Sequence, residues 1–253
     1  MRAVSSSAVS DDLVTAELRG AVCVVRLNRE AKLNALSEAL CFRLLDVLAG
    51  DLVRGSRVVV LTGSARAFSA GADLTEFTDD SVEATLRYYR GPGRVWEALP
   101  ALPQPSIAAI SGWAVGGGLE LALSADLRVA DTTARFGLPE VSLGILPSAG
   151  GMTRLVRLLG TARAKELILL GQRFDAARAL ELGVVNRVVD EGRAEAAALE
   201  WAELMAAQPQ AALQVTRELI DRSAEMSLEA SLAAERAAQG MLSTAAESYR
   251  VDR

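Results

Sequence analysis

Histidine does not occur anywhere in this chain of 253 residues. Its absence removes Ser-His-Asp and Cys-His nucleophilic chemistry and any histidine-ligated zinc or iron site. Catalysis has to rest on carboxylates, backbone donors, Lys, Arg, Tyr or a bound cofactor. Aromatic residues are scarce as well, 4% against 51% hydrophobic, so the core must be built from Ala, Val, Leu and Ile. The only two cysteines, Cys23 and Cys41, lack metal-ligand spacing and read as reduced core thiols of a cytoplasmic protein. An excess of basic charge is missing too. A net charge of −5 argues against nucleic acid as a partner. The first dozen residues have no signal-peptide apolar run and read as a polar, frayed start. The apolar stretch 106–125 holds three consecutive glycines and a central Glu, which argues against a membrane span.

What is present alternates. Residues 13–27 read as two short strands around Arg19-Gly20, and Ser37 opens a helix reaching about Ala49 with Leu40, Leu44, Leu45 and Leu48 on one face. A buried strand follows at 57–62, then the small-residue loop 63–72. A more polar helix is expected over 81–98, closed by Pro100, Pro103 and Pro105. Strand 106–110, helix 117–125 and short strands at 126–130 and 134–137 come next. Helices are expected at 149–159 and 162–170, and over 175–183 with Asp175 as N-cap and Gly183 just past the end. A last strand is expected at 184–189. The repeated strand-strand-helix order implies an α/β fold of stacked units over 13–190. The Ala-rich remainder, 191–253, reads as a helical oligomerisation region that packs on the core or on a neighbouring copy.

Two carboxylates stand in apolar company. Glu120 lies in Gly112-Trp-Ala-Val-Gly-Gly-Gly-Leu-Glu120, and Glu140 in Phe136-Gly-Leu-Pro-Glu140. Burying an ionised carboxylate is expensive unless its pKa rises or a bound group compensates. Glycines at a helix start leave backbone N–H groups open, and Gly117 is one turn before Glu120 on the same face. The loop Phe68-Ser-Ala-Gly-Ala-Asp-Leu74 offers a second set of amides ahead of a helix expected near Asp73. The pattern is that of an acid/base pair beside donors for a developing oxyanion. It is not a nucleotide loop, since no Lys-Ser/Thr follows and the Gly-x-Gly-x-x-Gly spacing is absent.

Taken together, Leu27-Asn-Arg29, Leu33-Asn-Ala-Leu36, Ala67-Phe-Ser-Ala-Gly-Ala-Asp-Leu74, Gly112–Glu120, Ala125-Asp-Leu-Arg-Val-Ala130, Phe136–Glu140 and Gly144-Ile-Leu-Pro-Ser-Ala-Gly-Gly151 resemble, in order, the crotonase or enoyl-CoA hydratase/isomerase family. The resemblance spans about residues 13–240. It implies a spiral of ββα turns, homotrimers or dimers of trimers, and an acyl-CoA substrate, with no cofactor beyond the CoA of that substrate and no metal. It implies that the thioester oxygen accepts from the amides of Ala72 and Gly117, and that the nucleotide and pantetheine run along Ala70, Ala72, Asp73 and Leu74. Hydratases of the family carry both acids, whereas isomerases commonly keep only the second, so hydration of a 2-enoyl-CoA to a 3-hydroxyacyl-CoA is the expected activity. The alternatives are isomerase or other thioester-enolate chemistry, and a non-catalytic acyl-CoA-binding or RNA-binding relative. Glu140 resembles the acid that protonates the α-carbon and Glu120 the base that activates water. Departures from the pattern are the missing proline after Arg29, Thr75 in place of a frequent Lys, Ser148 where many hydratases have Gly, and a short chain end.

Overall fold

The computed structural model describes residues 12–79 and 81–245. The start assigned to 1–12 lies outside the described residues apart from Asp12, as does the chain end after 245. Val14–Arg19 (β1) and Val22–Leu27 (β2) form an antiparallel hairpin that turns at Gly20. Glu38–Leu48 (α1) follows, with the Ser37 side chain accepting from the Leu40 amide, and Asp51–Arg54 (α2) adds one turn. The chain then makes three strand pairs: Val58–Thr62 (β3) with Ala67–Ser69 (β4), Ser106–Ile110 (β5) with Trp113–Val115 (β6), and Leu127–Asp131 (β7) with Arg135–Gly137 (β8). Between the first two pairs lie Val82–Arg90 (α3) and Val95–Ala98 (α4), and between the last two lies Gly117–Leu123 (α5). Gly151–Leu159 (α6), Thr161–Leu169 (α7), Phe174–Asp175 (β9), Ala176–Leu182 (α8) and Arg187–Val189 (β10) come next. Three helices end the described chain: Ala194–Ala206 (α9), Gln210–Ser223 (α10) and Leu228–Ala245 (α11).

Each strand pair sends its first member to one sheet and its second to the other. The larger sheet has order β1-β2-β3-β5-β7-β10 and the smaller β4-β6-β8-β9, parallel except for the β1–β2 and β8–β9 pairs. Repetition of this unit winds the chain into a spiral of ββα turns. Side chains alternate along each strand, so the larger sheet is apolar on both faces. Cys23, Val25, Val59, Leu61, Ala108 and Ile110 enter the main core with α1 and the smaller sheet. Val22, Val24, Val58, Val60, Ile107 and Ala109 point to the other side. A parallel sheet needs both faces covered. α9 covers the second one with Ala194, Ala197, Ala198, Ala202 and Ala206, whose small side chains let the helix lie close to the strands.

The packing therefore does not stop near residue 190. The first helix of the stretch assigned to oligomerisation completes the core of its own chain: Ala198 and Ala202 are fully buried, Trp201 and Met205 are partly buried against the same cluster, and of its apolar residues only Leu204 is exposed. Other expected elements differ in extent. The helix over 81–98 breaks into α3, a 3-10 turn at Pro92–Arg94 and α4, because Pro92 lacks an amide and disfavours helical backbone at Gly91. The helix expected near Asp73 is a single 3-10 turn, Leu74–Glu76. Strand 184–189 shortens to β10, with Val184 and Val185 buried in the turn after α8. The capping reading of 175–183 holds: the Asp175 side chain accepts from the Arg178 amide and Gly183 takes the left-handed conformation. The stretch 106–125 is β5, β6 and α5, and no described helix is long and apolar enough to cross a membrane.

Candidate active site

The loop after β4 and the start of α5 meet. Gly71 has φ +96, and a side chain there would stand 2.7 Å from the Val115 carbonyl oxygen, so the approach of the two loops requires glycine. Gly116 also needs its positive φ of +54 to turn β6 into α5. The result places Ala72 beside Gly117: a Cβ built on Gly117 would lie 3.5 Å from the Ala72 nitrogen and 3.0 Å from the Trp96 ring. Gly117 is the first residue of α5, where the amide has no intrahelical acceptor. Among the described residues the Ala72 amide has no acceptor either, while its neighbours are spoken for: the Gly71 carbonyl accepts from the Leu36 amide at 2.8 Å and the Asp73 amide donates to the Leu36 carbonyl at 3.2 Å. Two unengaged backbone donors thus stand side by side.

The carboxylates flank them. α5 is buried along its whole length, and Glu120 is 3% exposed within it. Its Oε1 accepts from the Ala149 amide at 2.9 Å and the Gly151 amide at 2.8 Å, at the start of α6. Burial raises the Glu120 pKa from 4.5 to about 7. The two amides and the Arg154 guanidinium oppose that rise, and the Glu140 charge adds to it. Glu140 opens the 3-10 turn Glu140–Leu143 after Pro139, and its Oε1 is 3.1 Å from where a Gly116 Cβ would stand. Its Oε2 is buried with no hydrogen-bond partner among the described residues, and burial raises its pKa as well. The Glu140 charge thus disfavours ionisation of Glu120, while burial comes first among the causes at both acids.

Residues outside the sequence motifs hold this arrangement. The Trp96 indole N–H donates to the Gly117 carbonyl at 2.8 Å. Arg154 donates to the Trp96 carbonyl at 2.9 Å and to the Ala149 carbonyl at 3.0 Å, which braces the loop that serves Glu120. Tyr89, at the end of α3, shares a hydrogen bond with Ser148, and its pKa is raised by burial and by the charges of both acids. Trp96 and Tyr89 lie in the least patterned part of the sequence, and Arg154 on an ordinary amphipathic helix. Their only signal was the scarcity of aromatics: Phe77, Tyr88, Tyr89 and Trp96 form one contiguous cluster beside the site.

Of the positions named along the nucleotide path, Ala70 and Leu74 are exposed and Ala72 is half-buried, so backbone there is open to a ligand. The Asp73 side chain is not. It pairs with Arg29 at 2.6 Å and accepts from Thr75, first among the causes that hold its pKa down at about 2. No group of three or more His, Cys, Asp or Glu suited to a metal occurs among the described residues.

A two-sheet ββα spiral carrying an amide pair between two buried acids defines a protein class, and sequence comparison gives it a name. Residues 17–249 match the enoyl-CoA hydratase/isomerase family, and the chain belongs to it. Among its relatives, 2,3-dehydroadipyl-CoA hydratase of Escherichia coli is 42% identical over 85% of this chain and 84% of its own. An enoyl-CoA hydratase from Bacillus anthracis superimposes with a TM-score of 0.84 at 38% identity, covering 90% of each chain. A Thermobifida fusca protein described as a putative enoyl-CoA hydratase, solved with CoA, has a TM-score of 0.85 at 32% identity over 93% of this chain and 95% of its own.

Proposed function

We propose that this protein adds water across the 2,3 double bond of a 2-enoyl-CoA thioester to give a 3-hydroxyacyl-CoA. The observation that carries the reading is the placement of two buried carboxyl groups of raised pKa next to two free amides. Polarising the thioester carbonyl requires donors aimed at its oxygen, which we assign to Ala72 and Gly117; such a donor is typically worth about 3 kcal/mol in the transition state. Hydration also needs a base and an acid at once, and a pair that holds one proton supplies both.

In the resting site burial favours that proton on Glu120. A water bridging the pair lets it cross to Glu140. Glu120 then accepts a proton from the water as its oxygen bonds to the β-carbon. The π electrons of the double bond move to the α-carbon and thioester oxygen, and the enolate oxygen is held by the two amides. Glu140 delivers its proton to the α-carbon, so that one water is consumed in all. The CoA would lie along the open backbone of Ala70, Ala72, Asp73 and Leu74, with no other cofactor and no metal in the reaction. The presence of two acids rather than one favours water addition over double-bond migration.

The same reading includes assembly into homotrimers or pairs of trimers in the cytoplasm. α10 buries no residue in its own chain, and Ile220, Leu228 and Met241 are 65%, 76% and 72% exposed on α10 and α11. Apolar surface of that extent is ordinarily covered by a symmetric partner.

The test is loss of enoyl-thioester absorbance with crotonyl-CoA. Wild-type protein should turn over, and Glu140→Gln should lower kcat at least about a hundredfold, the scale of one general acid/base. No turnover by the wild type, or near-wild-type turnover by Glu140→Gln, would overturn the assignment.

A further inference from the structure

Both carbonyls that accept from Arg154 lie one bond away from a group assigned to the reaction. Nη1 donates to the Ala149 carbonyl at 3.0 Å and Nη2 to the Trp96 carbonyl at 2.9 Å, so the guanidinium bridges α4 and the start of α6 through backbone rather than through a carboxylate. Gly150 makes room for it. Its φ of +96 is a conformation that favours glycine, and a side chain there would collide with Nη1. Beyond Ala149, the next bond is from its amide to Glu120 Oε1 at 2.9 Å. Beyond Trp96, the next is from its indole N–H to the Gly117 carbonyl at 2.8 Å, and the Trp96 ring lies 3.0 Å from where a Gly117 Cβ would stand. Gly117 and Glu120 share α5, so the chain of bonds closes on itself: Gly117, Trp96, Arg154, Ala149, Glu120 and back along the helix.

The helix fixes the backbones of Gly117 and Glu120 to each other, but it leaves the Glu120 carboxyl at the end of a flexible side chain. The outer arc of the ring fixes what the helix leaves open, and its centre is a rigid planar fork. Such control matters here because a base and an oxyanion donor must serve one substrate together, and a misplacement of about 1 Å can cost about a hundredfold in rate. We propose that Arg154 is a positioning residue for the hydration, which holds the Glu120 carboxyl in register with the Gly117 amide through Ala149 and Trp96. The inference rests on the hydration reading given above. Arg154 itself makes no bond to the reacting atoms and carries no proton in the reaction.

A strut built in series fails wherever it is cut, and that separates it from independent props. The measurements are kcat and KM for crotonyl-CoA with Arg154→Met, Trp96→Phe and the double variant, together with affinity for unreactive butanoyl-CoA and thermal melting. Each single variant should lose about thirtyfold in kcat, and the double should be within about threefold of the slower single, with butanoyl-CoA affinity nearly unchanged. Arg154→Lys keeps the charge but not the fork, and should still lose about tenfold. If Arg154→Met does not melt cooperatively, the same cycle is run with Arg154→Lys. In a Glu120→Gln background, where no base is left to be held in register, Arg154→Met or its Lys substitute should cost less than about threefold more. A purely structural role would instead lower the melting temperature and slow both backgrounds by the same factor. That equal loss, a double variant slowed by the product of the singles, or near-wild-type kcat in folded Arg154→Lys overturns the inference. A wild-type protein that does not hydrate crotonyl-CoA refutes the functional reading and this inference together, whereas hydration that depends on Glu120 but lacks the non-additive cycle refutes only the inference.

Discussion

Glu120→Gln should make the protein more stable and nearly inactive at once, with a size that depends on pH. Gln keeps the acceptor oxygen that the Ala149 and Gly151 amides require, so the loop at the start of α6 stays in place. What changes is charge. The folded state holds the Glu120 proton up to about pH 7, against an ordinary value of 4.5. Below about pH 4.5 folded and unfolded chains are both protonated there and burial carries no charge penalty. As pH rises through 7, the folded protein must bury an anion, and the stability that the protonated form contributed is lost. The gap between 4.5 and about 7, at about 1.4 kcal/mol per pH unit, sets an upper scale of about 3 kcal/mol. Unfolding by urea at intervals from about pH 5 to about pH 8 should therefore show the variant close to wild type at the acid end and up to about 3 kcal/mol more stable at the alkaline end. Over the same range its kcat for crotonyl-CoA should be at least about a hundredfold lower. Parallel stability curves would show that Glu120 is ionised without cost, and the argument from burial would fail.

Gly117→Pro should reduce kcat by about a hundredfold in a folded protein, because proline is tolerated at the first position of a helix but deletes the N–H assigned to the oxyanion. Circular dichroism establishes the fold, and full activity would remove Gly117 from that role. Arg217→Ala should cost about 2 kcal/mol in urea unfolding and speed proteolysis of α10 and α11, since Arg217 latches α10 to the core through Asp126 at 2.6 Å and the Leu102 and Pro100 carbonyls at 2.6 and 2.9 Å. Unchanged stability would show the latch to be idle. Light scattering at micromolar concentration should give three or six times the chain mass of 26.7 kDa, and a monodisperse monomer would contradict the covering of α10 and α11 by partners.

Local rules made much of this protein legible as a sequence. Short continuous apolar runs marked the buried strands, Ser37 and Asp175 marked helix starts by their capping side chains, and Gly183 marked a helix end. Glu120 and Glu140 stood out because a carboxylate amid apolar residues must be compensated, and the glycines around them because only open backbone permits close approach. Each of these signals acts within one or two helical turns, so the sequence alone carries them. Long-range packing decided the rest. Nothing local to 194–206 distinguishes an Ala face meant for a partner from one meant for the second face of its own sheet. The sheet settles it, since its outward Val and Ile side chains must be covered. Trp96, Arg154 and Tyr89 reach the site from elements without a readable pattern, because their partners are carbonyls and a hydroxyl distant in sequence. The raised pKa of Glu120 is likewise a tertiary property: it depends on how much water the assembled core excludes, and burial outweighs the two amides that would otherwise hold the charge.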